Sequence, residues 1–403
     1  MVLEFKCSNV RSIREEVKLD LRAKNDDTFK SNLINFEGER INAACAIYGS
    51  NATGKSTVLT GMAIMQTMVI TNHLIQPGDF LIRNPHRLWQ DKPTEFSMEF
   101  VWKETRYIYS FSYNDTQILS ESLYYAPNGR MGLIFSREKT NLKINTKFSS
   151  LELLCKEKLV SNKLVLSIAA NNLNYKEILN AFLFYQEGLV VLMNDNNNWL
   201  EYSASKMEHD KAIKSMFLNF MKETGSDIID IKTKSEQRML NNQELPPNMP
   251  PAIKAMILNK PTLCTTVKTV YKDFELDIAE ESMGTQKLIR LMCPVMDIFQ
   301  KGKTFVCDEI ESHLHPLIVR QLITRFMTEK AGNAQIICTT HNVEMLDLNL
   351  FRRDQIYFTD MNPDFHNTRL YSLSTLSCRK EDNVQKKYLE SKYCKVPFCE
   401  GKE

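Results

Sequence analysis

Closely spaced cysteine pairs are missing from this chain. Ten cysteines are spread over 403 residues, and the nearest two, Cys394 and Cys399, stand five apart, so the CxxC spacing of a zinc ribbon or a thiol–disulfide site is excluded. Cys45, Cys307 and Cys338 lie inside short apolar runs that read as buried strands, which makes them packing residues and a reducing cytosol the expected compartment. Long hydrophobic runs are also lacking. The longest, AFLFYQEGLVVLM from Ala181, is broken at Gln186, Glu187 and Gly188 and falls short of the ~20 residues a membrane span needs. The chain opens on the strand-like alternation Leu3, Phe5, Cys7 with no signal-peptide layout. A soluble, cytoplasmic protein without membrane contact is expected. Charge of one sign is scarce too: 51 basic residues face 49 acidic ones, a net +2. No global field would hold nucleic acid or an anionic surface, so any such contact must be local. No internal repeat and no coiled-coil heptad run is present.

What the chain does contain is α/β alternation, with a length that suits two to three domains or one elaborated core. VLEFKCSNVRSI and EEVKLDLRA alternate with period two and predict an antiparallel hairpin. INAACAIYG is a continuously apolar strand. The residues after Lys55 turn helical, with Val58, Leu59, Met62 and Met65 on one side. Alternating runs between Phe96 and Ser136, including Tyr107, Tyr109, Phe111 and Tyr113, predict an antiparallel layer. Residues 137–275 read as a mostly helical insertion with a strand at GLVVLM, and NNQELPPNMPPAI (241–253), with four prolines in six positions, reads as an exposed loop or boundary. Beyond it come a helix after Met283, a strand TFVCDE, a helix after Pro316, a strand QIICTT and a last strand at DQIYFT. Three segments follow: an N-terminal lobe over 1–136, the insertion over 137–275 and a C-terminal lobe over 276–403.

The most specific signal is Gly49-Ser50-Asn51-Ala52-Thr53-Gly54-Lys55-Ser56, followed by Thr57, which fits G-x-x-x-x-G-K-[ST] with the required strand before and helix after. Glycines let the backbone wrap phosphates and aim N–H groups at them, and the helix N-terminus adds partial positive charge. Lys55 then reaches the β- and γ-phosphates of ATP, and Ser56 offers a hydroxyl to Mg²⁺. Hydrolysis needs a second element. KTFVCDEIESHLHP supplies it, because three apolar residues deliver Asp308 and Glu309 at the end of a buried strand, where Asp308 can hold Mg²⁺ and Glu309 can polarise water. His341 ends a third strand, and EESMGTQKL places Ser282 and Gly284 in a turn that opens a helix. A lone histidine after a strand is more often structural, and a Ser-x-Gly turn is weak evidence by itself. His313 and His315, spaced by two with no further ligand nearby, do not read as a metal pair.

These four elements in this order resemble the ATP-binding-cassette branch of P-loop ATPases, which includes the chromosome-maintenance and recombination ATPases, and Asn51 of GSNATGKS fits that branch. More narrowly, DEIESHLHP, QIICTTHNVEMLDLNLFRRDQIYFTDMN and RKEDNVQKKYLESKYCKVPF resemble the abortive-infection (AbiL/RloA-type) ATPases of bacterial phage-defence loci, over about residues 1–130 and 275–398. The resemblance implies a mixed sheet plus an antiparallel β layer. It also implies an ATP-sandwich homodimer, often within a larger assembly, working with a separately encoded effector, commonly a nuclease. It assigns His341 the γ-phosphate switch role, Ser282 and Gly284 the signature role on the opposite subunit, Ser312 to His315 the loop between subunits, and Arg11 a place near the nucleotide. The chain departs from the pattern at Met283 and Thr285, where transporter-type cassettes carry glycine and glutamine. It departs again at Ser391 and Cys394, where the defence group usually has glycines. Gln90 is the best available glutamine for the loop that senses nucleotide. Function is then expected as an ATP-hydrolysing switch in an antiviral complex. Two further readings are a repair or recombination ATPase that binds DNA with ATP, and a nucleotide-stabilised scaffold with negligible turnover.

Overall fold

The computed structural model describes residues 1–127, 129–193, 198–241, 254, 258, 262–329, 333–379 and 382–395. Apart from Asn241, the proline-rich segment 241–253 lies outside them. The chain forms two compact units, one of Met1–Asn194, Ile298–Ser312 and Val319–Glu403, the other of Asp195–Asp297 and His313–Ile318.

The first unit begins with β1 (Val2–Ser8) and β2 (Val17–Asp20), the expected hairpin, in which Phe5 faces Leu19 and Cys7 faces Val17. A short pair, β3 (Leu33–Phe36) and β4 (Glu39–Asn42), leads into β5 (Ala44–Tyr48), every residue of which is buried. Helix α1 (Lys55–Thr71) follows the glycine loop and buries Val58, Leu59, Met62 and Met65 completely, the stripe its 3.6-residue spacing predicts. Next come β6 (Thr94–Trp102), β7 (Thr105–Tyr113), β8 (Ile118–Ala126), β9 (Gly132–Glu138) and β10 (Asn141–Ile144). They join the first hairpin in one antiparallel sheet of order β10-β9-β8-β7-β6-β1-β2. Its buried face is aromatic: Phe96 pairs with Phe111, Met98 with Tyr109 and Phe100 with Tyr107. Such cross-strand pairs fix the register, because a one-residue slip would turn the whole apolar set outward. Helices α2 (Ser150–Lys158), α3 (Val165–Asn172) and α4 (Lys176–Leu183) precede β11 (Leu189–Leu192).

The second unit holds α5 (Asn198–His209), α6 (Lys211–Glu223) and a three-stranded antiparallel sheet of β12 (Asp230–Arg238), β13 (Thr262–Val270) and β14 (Glu275–Asp277). α7 (Met283–Lys301) starts there. The remaining elements are β15 (Thr304–Cys307), α8 (Pro316–Thr328), β16 (Gln335–Thr339), β17 (Ile356–Asn362), β18 (Asn367–Ser372) and α9 (Val384–Leu389).

The mixed sheet that carries the chemistry has the order β11-β15-β16-β5-β17-β18, parallel throughout except for β18. Because β15, β16 and β5 are parallel neighbours, Asp308, His341 and the glycine loop all leave the same carboxyl edge, where an open α/β sheet binds its ligands. Strands two apart are separated by roughly 10 Å, a gap that suits a phosphate chain. The α/β fold with a mixed sheet and an antiparallel layer is the one expected. Residues 137–194, grouped by sequence with the insertion, belong to the first unit.

Gln335 pins the opposite end of this sheet. Its buried amide accepts from Val2 N–H (2.8 Å) and donates to the carbonyls of Val2 and Asn42 (both 3.0 Å), so one side chain joins β16 to β1 and β4.

Candidate functional site

The glycine loop is shaped by what lies behind it. Gly54, with φ +98°, opens α1 from the left-handed region, and an added Cβ would run into the hydroxyls of Thr368 and Ser12 (2.9 Å for the latter). At Gly49 a Cβ would meet the Thr359 carbonyl and the Thr53 hydroxyl, both at 2.7 Å. Hydroxyls back the loop throughout. Thr53 bonds Thr359 (2.8 Å), Thr368 donates to the Thr53 carbonyl (3.0 Å) and to Ser12 Oγ (2.8 Å), and Ser12 Oγ bonds Thr57 Oγ1 (3.0 Å). From the C-terminal side, Tyr388 packs edge-on against Tyr48 (6.2 Å between centroids). Ser391, which ends α9, has φ +56°, the conformation that glycine would otherwise supply.

Lys55 is buried and donates to the carbonyls of Gly49 (2.7 Å) and Ser50 (2.9 Å). Burial lowers its pKa, and the carboxylates of Glu309 and Asp308 oppose that shift. Ser56 Oγ donates to Asp308 Oδ1 (3.0 Å), and Thr339 Oγ1 donates to the same oxygen (2.5 Å). Thr339 also accepts the Glu309 N–H (2.8 Å), which helps hold Glu309 at φ +45° with its carboxylate exposed. Glu309 Oε1 is 4.0 Å from His341 Nε2, and Glu311 accepts the His341 N–H. The His341 pKa is lowered, first by burial and then by the Lys55 charge, so the ring is neutral near pH 7.

These groups line one cavity of about 640 Å³, bounded by Arg11, Ser12, Asn51, Ala52, Gly54 to Thr57, Glu309 and His341. Of the residues singled out in the sequence, Gly49, Ser50 and Thr53 form the loop behind this lining, and Asp308 reaches it through Ser56. Arg11, with φ +50°, donates to Thr60 Oγ1 (3.3 Å). Gln90 is exposed on a loop, where its carbonyl accepts from Arg83 (3.0 Å). Ser12, Thr339, Thr359 and Thr368 were not anticipated. Each is a single hydroxyl whose partner lies far away in sequence, Ser12, Thr359 and Thr368 at the loop and Thr339 at Asp308 and Glu309.

The donor set suits Mg²⁺. A serine hydroxyl beside one carboxylate is a hard-oxygen pair of the kind that completes its shell with phosphate oxygens and water. Among the described residues no group of three or more His, Cys, Asp or Glu could hold a softer metal.

Ser282 and Gly284 belong to the second unit. Ser282 Oγ accepts the Thr285 N–H (3.1 Å) and caps the start of α7. At Gly284 an added Cβ would come within 2.9 Å of the His313 carbonyl, so the glycine is required by the close approach of the Ser312–His315 loop. Among the described residues no helix is long and apolar enough to cross a membrane.

Compared with known sequences, residues 45–347 match the sequence model of a family described as "AAA domain, putative AbiEii toxin, Type IV TA system". No curated protein matches the chain. Among solved structures it is similar to a Smc head bound to the C-winged helix domain of ScpA, at TM-score 0.43 and 15% identity, covering 92% of this chain and 97% of that one. It is also similar to the SMC head domain from Thermotoga maritima, at TM-score 0.40 and 12% identity over 92% and 98% of the two chains. A Smc head domain from Pyrococcus furiosus, bound to the C-terminal domain of ScpA, gives TM-score 0.39 and 14% identity over 92% and 96%.

Proposed function

This chain belongs to the family of AAA domains described with the AbiEii toxin, a P-loop ATPase family, and from that premise we propose that it is an ATP-hydrolysing switch subunit of a bacterial abortive-infection complex. In that role it controls a separately encoded effector such as a nuclease. The observation that carries the enzymatic part is the single cavity in which the Lys55 loop, the Ser56–Asp308 pair, Glu309 and His341 converge.

The chemistry is in-line attack of water on the γ-phosphorus, with cleavage of its bond to the β,γ-bridging oxygen. Glu309 orients the water and takes its proton. Its exposed carboxylate reaches into the cavity from a strand end that Thr339 holds in place. The loop N–H groups and Lys55 hold the phosphates, and the N–H of neutral His341 donates to a γ-phosphate oxygen. Ser56 and Asp308 would hold Mg²⁺, which neutralises phosphate charge when bound. Ser282 and Gly284 complete the site from the opposite subunit of an ATP-bound homodimer, within a larger assembly. The defence assignment rests on the family description and on the C-terminal run RKEDNVQKKYLESKYCKVPF.

The test is the solution mass and phosphate release of Glu309→Gln with and without Mg-ATP. The proposal expects turnover to fall by about 10²–10⁴ and mass to double with ATP. Unchanged turnover would remove Glu309 from the chemistry, and unchanged mass would remove the shared-site dimer. Co-expression with the neighbouring gene that yields neither a complex nor altered toxicity would remove the effector.

A further inference from the structure

A second cavity, of about 780 Å³, lies in the first unit away from the phosphate loop, between the β9–β10 hairpin and α2. Its wall is apolar where Leu142 and Ile144 of β10 face Leu159 and Val160 beyond α2, and all four are only half-buried. Its rim is basic. Lys139, Lys143 and Lys156 are exposed there, and the one acidic lining residue, Glu152, is already paired with Lys156 (2.8 Å). The buried Arg137 guanidinium stiffens the floor by donating to the carbonyls of Lys139 (2.7 Å) and Lys163 (2.7 Å), which ties the hairpin to the segment after α2.

β10 is also the edge of the seven-stranded sheet, and among the described residues it pairs only with β9. Asn145 N–H donates to the Ile134 carbonyl (3.0 Å), so by alternation Asn141 and Lys143 turn their backbone groups toward β9 while Leu142 and Ile144 turn theirs outward. An outward N–H and C=O pair beside an apolar trough is the geometry that accepts an added strand. Lysines at a sheet edge ordinarily discourage pairing, and two copies of this basic edge would repel each other. The same lysines favour a strand of opposite sign, so charge selects the occupant.

We propose that the β10 edge and its trough form a docking site for an acidic, extended segment of a partner protein. The segment adds as a strand beside Leu142 and Ile144. It places apolar side chains against Leu159 and carboxylates against Lys139 and Lys143. This site is independent of the nucleotide reading, since none of its residues lines the phosphate cavity.

The experiment titrates a fluorescein-labelled peptide of alternating glutamate and valine into the full chain, with an alternating lysine and valine peptide as control. Expected are saturable binding of the acidic peptide alone and slower hydrogen exchange of the Leu142 and Ile144 amides. The Lys139→Glu/Lys143→Glu double variant should bind it about 10-fold more weakly, as reversed rim charges do. Equal binding of the lysine peptide, or unchanged affinity in the double variant, would overturn the charge selection. Unchanged exchange at Leu142 and Ile144 in the wild-type chain would overturn strand addition, and that readout does not depend on how the variant folds. A peptide-free rise in mass that the double variant abolishes would assign the edge to a second copy instead.

Discussion

The phosphate loop and the Ser282 turn are both helix N-termini with a serine and a glycine, yet they are built differently. Around the loop every element is braced. Two strands supply threonines behind it, Lys55 is buried, and Ser56 and Asp308 already meet at 3.0 Å. At the Ser282 turn the serine hydroxyl is spent on its own helix, Met283 is 58% exposed, and Gly284 answers to the His313 carbonyl. Preorganised donors lower the cost of binding only where they face the ligand. The loop is therefore braced for a ligand within one chain, whereas the turn is braced only for its own helix.

The sharpest way to test that contrast is at the chemical step. Glu309→Gln should lower kcat by about 10²–10⁴, the range lost with a general base, while ATP affinity measured by calorimetry stays within a few-fold. Next in size is Gly54→Ala, expected to abolish nucleotide binding because its Cβ meets Thr368 and Ser12 at a positive φ. Thr368→Ala added to it should restore part of the binding, and no restoration would mean that backbone conformation alone requires the glycine. Ser282→Arg should leave nucleotide affinity intact and reduce turnover only at protein concentrations that support a dimer; equal loss at every concentration would break the comparison. The smallest effect is electrostatic. His341 should titrate below 6.5 by NMR, since burial and Lys55 disfavour its charged form. A depressed histidine pKa contributes stability that is lost as pH falls through the folded value. Lys55→Met should move the His341 pKa upward.

Legibility followed locality. The loop, Asp308, Glu309 and His341 were readable because each sits in a contiguous apolar-strand-then-polar pattern, and the β6–β9 layer because its aromatics alternate. Ser12, Thr359 and Thr368 were not, because they lie as single hydroxyls on segments 12, 359 and 368 in sequence, and only the bonds between those segments show their purpose. Strand β12 escaped for another reason. In DIKTKSEQR only Ile231 is buried, so no period-two apolar pattern exists to be read. The glycine expected at Ser391 was replaced in sequence but its backbone conformation was retained, a distinction that only φ reveals.

Gln335 carries a consequence for how damage in this protein would be diagnosed. It begins β16, four residues before Thr339, a span of roughly 13 Å at 3.3 Å per residue. Its amide holds the strand's starting position against β1 and β4, and the position of Thr339 and His341 at the other end inherits that alignment. An inherited change to leucine there would strand three buried backbone groups and let the strand drift lengthwise. In an activity screen such a variant would be scored as a catalytic lesion, although the residue altered lies at the far end of the strand from the groups that line the phosphate-loop cavity.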